Sequence, residues 1–249
     1  ADADHNNSLS ESEIKSITSI NLRGTGVENL TGIEKFTGLR TLDCSDNKLK
    51  KLNLSGNTLL ETVNASGNDI VEAELSKNAS LMNLDLSENE LTKVDLKECK
   101  SLISVNLSYN ELQTIDFTGN QYVSSVNVSH NDIVLADFTA NEALTYTDCS
   151  YNKLIDLKCA KSTDVLIADH NELSVADFKE AKNVRNINLS ANNLYRLDVS
   201  ACEKLTSLNV ADNNLFALDL SANKNLKQEN INCQGNGGEM FVANSNEAS

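Results

Sequence analysis

"TLDCSDNKLKKLNLSGN", residues 41–57, carries the same short pattern twice: two apolar residues at alternate positions, then an asparagine. Leu42 and Cys44 lead to Asn47, and Leu52 and Leu54 lead to Asn57. Alternation with a period of two marks a short strand with one face buried, and the asparagine after it marks a turn. Working outward, the first half recurs as LDLSEN (84–89), VNLSYN (105–110), VNVSHN (126–131), INLSAN (187–192) and LNVADN (208–213). The closing residues are Asn47, Asn68, Asn89, Asn110, Asn131, Asn152, Asn171, Asn192 and Asn213. They are 21 positions apart, except for 19 between Asn152 and Asn171. A last copy, INCQGN (231–236), closes at Asn236 after a two-residue insertion. One such coil cannot bury its own inner face, so successive coils must stack into a continuous core.

Composition agrees with a regular architecture. The 249 residues are 40% hydrophobic, which suffices for one sizeable core or one elongated repeat domain. Proline and tryptophan are absent and aromatics make up 4%, so regular turns rather than proline punctuation must shape the chain. The formal charge of −15 repels a nucleic-acid backbone or an anionic membrane and leaves cations, basic proteins and neutral glycans as partners. The longest apolar runs are four residues, against the roughly 20 that span a bilayer, so no transmembrane segment is expected. The start carries no signal peptide, and a start this polar is compatible with upstream processing or a membrane tether.

Each unit is close to LxxLxCxxNxLxxLDLxxNxx, and from about residue 20 to 236 the chain resembles the leucine-rich repeat, in its 21-residue bacterial class. The resemblance implies a right-handed leucine-rich repeat solenoid of about ten coils with short parallel strands on both sides. The expected organisation is an N-terminal cap over 1–16, the solenoid over 17–236, and a C-terminal cap or tail over 237–249. Leu52, Leu84, Leu107, Ile115, Leu157, Leu189, Leu197 and Leu218 should be buried. The resemblance also implies an extracellular or bacterial cell-surface protein, secreted or attached, that serves adhesion by binding proteins or glycans. No nucleophile–base–acid set recurs and no glycine-rich phosphate loop occurs, so a non-catalytic role is expected.

Six cysteines invite a disulfide reading, and their positions oppose it. Cys44, Cys149, Cys159 and Cys233 take inward apolar positions, while Cys99 and Cys202 replace the second-turn asparagine five coils apart. All six are expected to be buried free thiols.

Candidate sites lie on the outward columns. The first strands present Asp43, Asn64, Asp85, Asn106, Asn127, Asp148, Ile167, Asn188 and Asn209. The second strands present Asn53, Glu74, Asp95, Asp116, Asp137, Lys158, Asp177, Asp198 and Asp219. This acidic ladder either forms a row of weak cation sites or belongs to the repeat and bonds neighbouring Ser, Thr and backbone groups, the second reading being preferred. The coil closing at Asn171 breaks both columns with Ile167 and Lys158. Just before the closing asparagines near it stand Tyr109, His130, Tyr151 and His170, with Tyr146 on the same strand face. Amphipathic rings gathered at one irregularity form the best candidate ligand patch, for a protein or a glycan. Val134, Leu135, Ile155, Val175, Tyr195 and Phe216 follow the turn between the two strands and are either an exposed stripe or covered by neighbouring turns.

The chain opens with DADHNNSLSESE (2–13), which resembles the twelve-position EF-hand loop. Asp2, Asp4, Asn6, Ser8, Ser10 and Glu13 match positions 1, 3, 5, 7, 9 and 12, so a structural calcium ion is expected there. Asn7 replaces the usual glycine, and no entering helix precedes Asp2 in this chain. Ser10 and Glu13 also read as a capping box for a following helix.

Overall fold

A computed structural model describes residues 10–237 and 241–243. The chain divides into two compact units, residues 1–112 with 116–123 and residues 113–115 with 124–249. In the first unit, strands Ser19–Asn21, Thr41–Asp43, Thr62–Asn64, Asn83–Asp85 and Ser104–Asn106 pair in parallel. Opposite them, Lys51–Asn53 pairs with Glu72–Glu74. In the second unit, Ser125–Asn127, Tyr146–Asp148, Val165–Ile167, Asn186–Asn188, Ser207–Asn209 and Ile231–Asn232 form the first-strand sheet. Leu135–Asp137 pairs there with Asp156–Lys158, and Ala217–Asp219 with Phe241–Ala243. The chain is thus a leucine-rich repeat solenoid of about ten turns with strands on both sides, as its sequence pattern demands.

The short coil keeps its register because its deletion falls in a turn. Tyr146 follows Asp137 by nine positions, whereas Val165 follows Lys158 by seven. Tyr146 nevertheless pairs with Val165 and Leu135 with Asp156, so both strands stay in phase.

The two asparagines of each coil do different work. Asn89 is buried, and its Oδ1 accepts from Ile70 N (3.0 Å) while its Nδ2 reaches the carbonyls of Ala65 (3.0 Å), Leu86 (3.1 Å) and Ser87 (3.0 Å). Asn68, Asn152, Asn171, Asn192 and Asn213 repeat this set. One amide therefore satisfies a turn and staples it to the preceding coil. The second-turn asparagines use only half of their capacity. Asn78 Nδ2 donates to Leu54 O (3.2 Å) and Asn57 O (2.9 Å), while the buried Oδ1 atoms of Asn57, Asn78 and Asn223 meet no hydrogen-bond partner among the described residues. That is why cysteine can stand in this column: Cys99 Sγ reaches Leu75 O at 3.5 Å and needs no further partner.

All six cysteines are free, and five are buried. Cys233 is the correction to the expected set, being half-buried in the last first-strand coil. Burial pushes the Cys44, Cys159 and Cys202 thiols up to about 12 and Cys99 up to about 11, and raises Cys149 as well. Thiol titration at neutral pH should therefore count at most one rapidly reacting group in the native protein and six in denaturant. Two or fewer in denaturant would mean disulfides. The inward leucines are buried as expected, apart from Ile115 and Leu197, which are half-buried. Neither lies in a named second strand, and only an isolated bridge joins Asp177 to Asp198 beside Leu197, so that wall of the core is covered less completely.

At the N-terminus, helix Glu11–Ser16 starts on the expected capping box: Ser10 N donates to Glu13 Oε2 at 2.8 Å, and Glu13 N to Ser10 Oγ at 3.3 Å. The helix buries no residue fully, and its end lies close against Gly38, where a β-carbon would sit 2.1 Å from Lys15 O. Of the calcium ligand set, Asp2, Asp4, Asn6 and Ser8 lie outside the described residues. No described helix is long and apolar enough to cross a membrane.

Candidate functional site

The outward Asp or Asn of each first strand ends that strand locally. Asp148 Oδ1 accepts from Ser150 N (3.0 Å) and Ser150 Oγ (2.7 Å), and Asn127 and Asn188 do the same with Ser129 and Ser190. On the second strands, Asp137 takes both donors of Thr139, and Asp198 and Asp219 accept from Ser200 N and Ser221 N. These bonds hold the carboxyls of Asp116, Asp137, Asp198 and Asp219 below the usual carboxylate range, through the side-chain hydroxyl first and the backbone N–H second. The acidic ladder is accounted for by these Asx turns, in agreement with the preferred reading.

Three residues later the backbone turns left-handed. Asp46, Glu88, Tyr109, His130, Tyr151, His170, Ala191 and Asp212 all have φ between 51° and 55°, and Gly67 has 63°. The turn aims His130 N at Ser150 O (3.0 Å), Tyr151 N at Asp169 O (2.9 Å) and His170 N at Ser190 O (3.0 Å). A side chain in this conformation costs roughly 1–2 kcal/mol for most residues, less for Asn and Asp. Because every coil turns at the same φ, the side chains leave the backbone in the same direction, one coil apart. His130 and Tyr151 consequently stack with ring centroids 4.3 Å apart and planes 8° apart, and Tyr151 stacks on His170 at 4.1 Å and 9°. Tyr151 is 44% exposed, His170 is exposed and His130 half-buried.

The short coil supplies the rest of the surface. Its outward first-strand residues are Val165 and Ile167, in register with Tyr146 and Asp148 on one side and with Asn186 and Asn188 on the other. Tyr146, Val165 and Ile167 are half-buried, so apolar area lies beside the ring stack. Ile167 cannot accept the Asx-turn bonds. The residue two positions on is Asp169 where the coils on either side have Ser150 and Ser190, and it takes partners sideways instead. Its Oδ1 accepts from Asn188 Nδ2 (2.8 Å) and its Oδ2 from His170 Nδ1 (2.7 Å), although the residue is 8% exposed. His170 is thereby fixed in orientation by a buried carboxylate.

Of the residues singled out from sequence, the structure brings together His130, Tyr146, Tyr151 and His170 on one outward face of the second unit. Tyr109 belongs to the first unit, is 54% exposed and occupies the same left-handed position. Sequence reasoning missed Val165 and Asp169. The signal for Asp169 was its column, which reads Ser45, Ser66, Ser87, Ser108, Ser129, Ser150 and Ser190 in seven coils and the neutral Ala211 and Gln234 in the last two. The turn residues Val134, Leu135, Ile155, Tyr195 and Phe216 are exposed, and Val175 is half-buried; the exposed-stripe alternative therefore holds.

No protein-family model matches the chain. A 50-residue stretch, 20% of the chain, is 40% identical to internalin J of Listeria monocytogenes serotype 4b (strain F2365) and covers 6% of that protein. The solved functional domain of internalin J from L. monocytogenes, which includes a cysteine ladder, superposes with a TM-score of 0.78 at 28% identity, over 91% of this chain and 55% of that one. A leucine-rich repeat protein of Leptospira interrogans gives a TM-score of 0.81 at 20% identity, covering 89% of this chain and 62% of its own, a likeness of fold. The same fold occurs in the Drosophila complex of Toll with Spatzle, at a TM-score of 0.70 and 16% identity, over 87% of this chain and 33% of that one. The chain thus spans a small part of the curated relative it matches and just over half of that protein's solved domain.

Proposed function

We propose that this chain is the ligand-recognition part of a bacterial surface or secreted protein, and that it binds a protein partner through the first-strand face of its second unit. The carrying observation is the three-ring stack His130–Tyr151–His170, continued by the apolar residues of the short coil and oriented by buried Asp169. Rings already held parallel by the backbone lose little entropy on binding, and a partly apolar surface with polar edges suits a protein. The likeness to internalin J supports the surface setting and a non-catalytic role. Affinity capture from bacterial envelope and host-cell extracts, followed by purification of the captured protein, provides the test. Tyr151→Ala with His170→Ala should weaken its Kd at least tenfold while the melting curve stays put. An unchanged Kd would make the stack ordinary surface.

Glycan capture is the second reading, favoured by the outward edges of the stacked rings, whose phenol hydroxyl and imidazole nitrogens can hydrogen-bond sugar hydroxyls, both faces of Tyr151 being taken by His130 and His170. A glycan array that responds to the wild type and loses its signals with Tyr151→Ala would support it over the protein partner. A structural calcium ion at Asp2, Asp4, Asn6, Ser8, Ser10 and Glu13 is also proposed, ordering the N-terminal cap ahead of helix Glu11–Ser16. Calcium should then raise the melting temperature of the wild type but not of Asp2→Ala with Glu13→Ala. Identical curves in calcium and in chelator would rule the ion out.

A further inference from the structure

The ring stack ends at His170, and the column beyond it changes character. His130, Tyr151 and His170 fill three consecutive left-handed positions, and the next two are Ala191 at φ 52° and Asp212 at φ 54°. Backbone bonds place these on successive coils, since Asn171 N donates to Ala191 O (3.2 Å) and Asn192 N to Asp212 O (3.3 Å). Tyr151 covers one face of His170 at 4.1 Å. On the other side the column offers only the methyl of Ala191, and 47% of the His170 side chain is exposed. One planar group continuing the stack at the same spacing would lie over Ala191, with His170 on one side and Asp212 on the other.

Charge selects the group. The first-strand segments of these three coils, residues 165–173, 186–193 and 207–214, hold Asp169, Glu172 and Asp212 and no Lys or Arg. The cations around them are engaged elsewhere. Lys153 is paired with Asp132, Arg196 lies over Tyr195, and Arg185 and Lys204, which precede the strands, are held by Asp164 and Asn183. Asp169 is taken by His170 and Asn188, whereas Glu172 and Asp212 are exposed. Asp212 leans toward Gly235, where a Cβ would stand 2.1 Å from its Oδ1, so the place over Ala191 is clear and the carboxylate can swing back over a cation there.

A cation that belongs here must also lie flat against an imidazole face. A guanidinium is planar, weakly hydrated and stacks on rings, whereas an ammonium is a compact, strongly hydrated point charge. We infer that the protein partner presents an arginine at this place, its guanidinium lying on the outer face of His170 over Ala191, beside the carboxylates of Asp212 and Glu172. The inference rests on the reading of the ring stack as the partner-binding face, and it names the partner group that completes the stack.

Small probes test the arginine site without the partner. N-acetyl-arginine amide, its lysine and citrulline equivalents and N-acetyl-tyrosine amide are titrated into the full chain while NMR follows the His170 ring and the Ala191 methyl. The arginine probe should shift both signals and saturate in the millimolar range. Lysine, which lacks the plane, and citrulline, which lacks the charge, should bind at least fivefold more weakly. Asp212→Asn, which a left-handed turn tolerates, should weaken the arginine probe at least threefold with an unchanged melting curve. Ala191→Tyr carries the stack one ring further and should block the probe. No saturation by arginine, equal binding of lysine or citrulline, tighter binding of tyrosine, or indifference to both variants would overturn the proposal. The reading of the stack as a partner-binding face fails separately, if Tyr151→Ala with His170→Ala leaves the captured protein's Kd unchanged.

Discussion

Replacing Asn89 by alanine should cost about 2 kcal/mol or more, because it leaves the buried N–H of Ile70 without an acceptor, at roughly 1–3 kcal/mol, and takes one donor from each of three carbonyls. Ile70 N loses its acceptor, and the carbonyls of Ala65, Leu86 and Ser87 lose one donor each while keeping Asn68 Nδ2, Asn110 Nδ2 and Gly67 N. The loss crosses from one coil to the next, and in a stacked array such interfaces carry much of the stability. Asn78 supplies the internal comparison. Its Oδ1 accepts nothing among the described residues, and the equivalent position one coil on is already Cys99. Asn78→Cys should therefore change stability by about 1 kcal/mol or less, since the retained thiol fills the space and only neutral donors are lost. Urea unfolding followed by circular dichroism reads both variants. Equal losses for Asn78→Cys and Asn89→Cys would show that the two asparagine columns are energetically alike, against the hydrogen-bond pattern.

The second large effect belongs to the core beside the short coil. Lys158 pairs with Asp137 and bridges to Asp177, so the residues that follow them, Phe138, Cys159 and Phe178, are neighbours in one inward column. Phe138 is 1% exposed and Phe178 2%, with the small Cys159 between them. Phe178→Ala should cost about 3–5 kcal/mol, the usual range for deleting a buried ring. Cys159→Phe should also destabilise, by about 1–3 kcal/mol, because the flanking rings already fill the width of that coil. The same urea measurement decides the matter. A Cys159→Phe variant as stable as wild type would mean that the column holds spare volume.

Much of this molecule could be read from its residues because it repeats. Leu42, Cys44 and Asn47 mean little alone, yet nine further copies in phase fix strand, turn and inward face together. The register of the short coil was legible for the same reason, since Asn171 still closes the pattern after the deletion. What escaped were features that depend on backbone sign or on pairs. Tyr109, Tyr151 and His170 are unexpected at φ near 53°, although Gly67, Asp46 and Asp212 in the same column are typical left-handed residues and could have given it away. Asp169 escaped because its meaning lies in Ile167, Asn188 and His170 jointly, and only their positions in space connect them. Ile115 and Leu197 looked like core by alternation alone. Alternation says which way a side chain points but not whether the next coil covers it.

The left-handed turn separates where this surface displays a group from which group it displays. Asp, Glu, Gly, Ala, His and Tyr all occupy that one position with nearly the same backbone angle. The scaffold thus works like a rack of identical sockets at fixed pitch, each open to a new fitting without disturbing the rest. Recognition could be rewritten coil by coil by single substitutions, and a lineage carrying this fold could acquire a new ligand without first having to find a new way to fold.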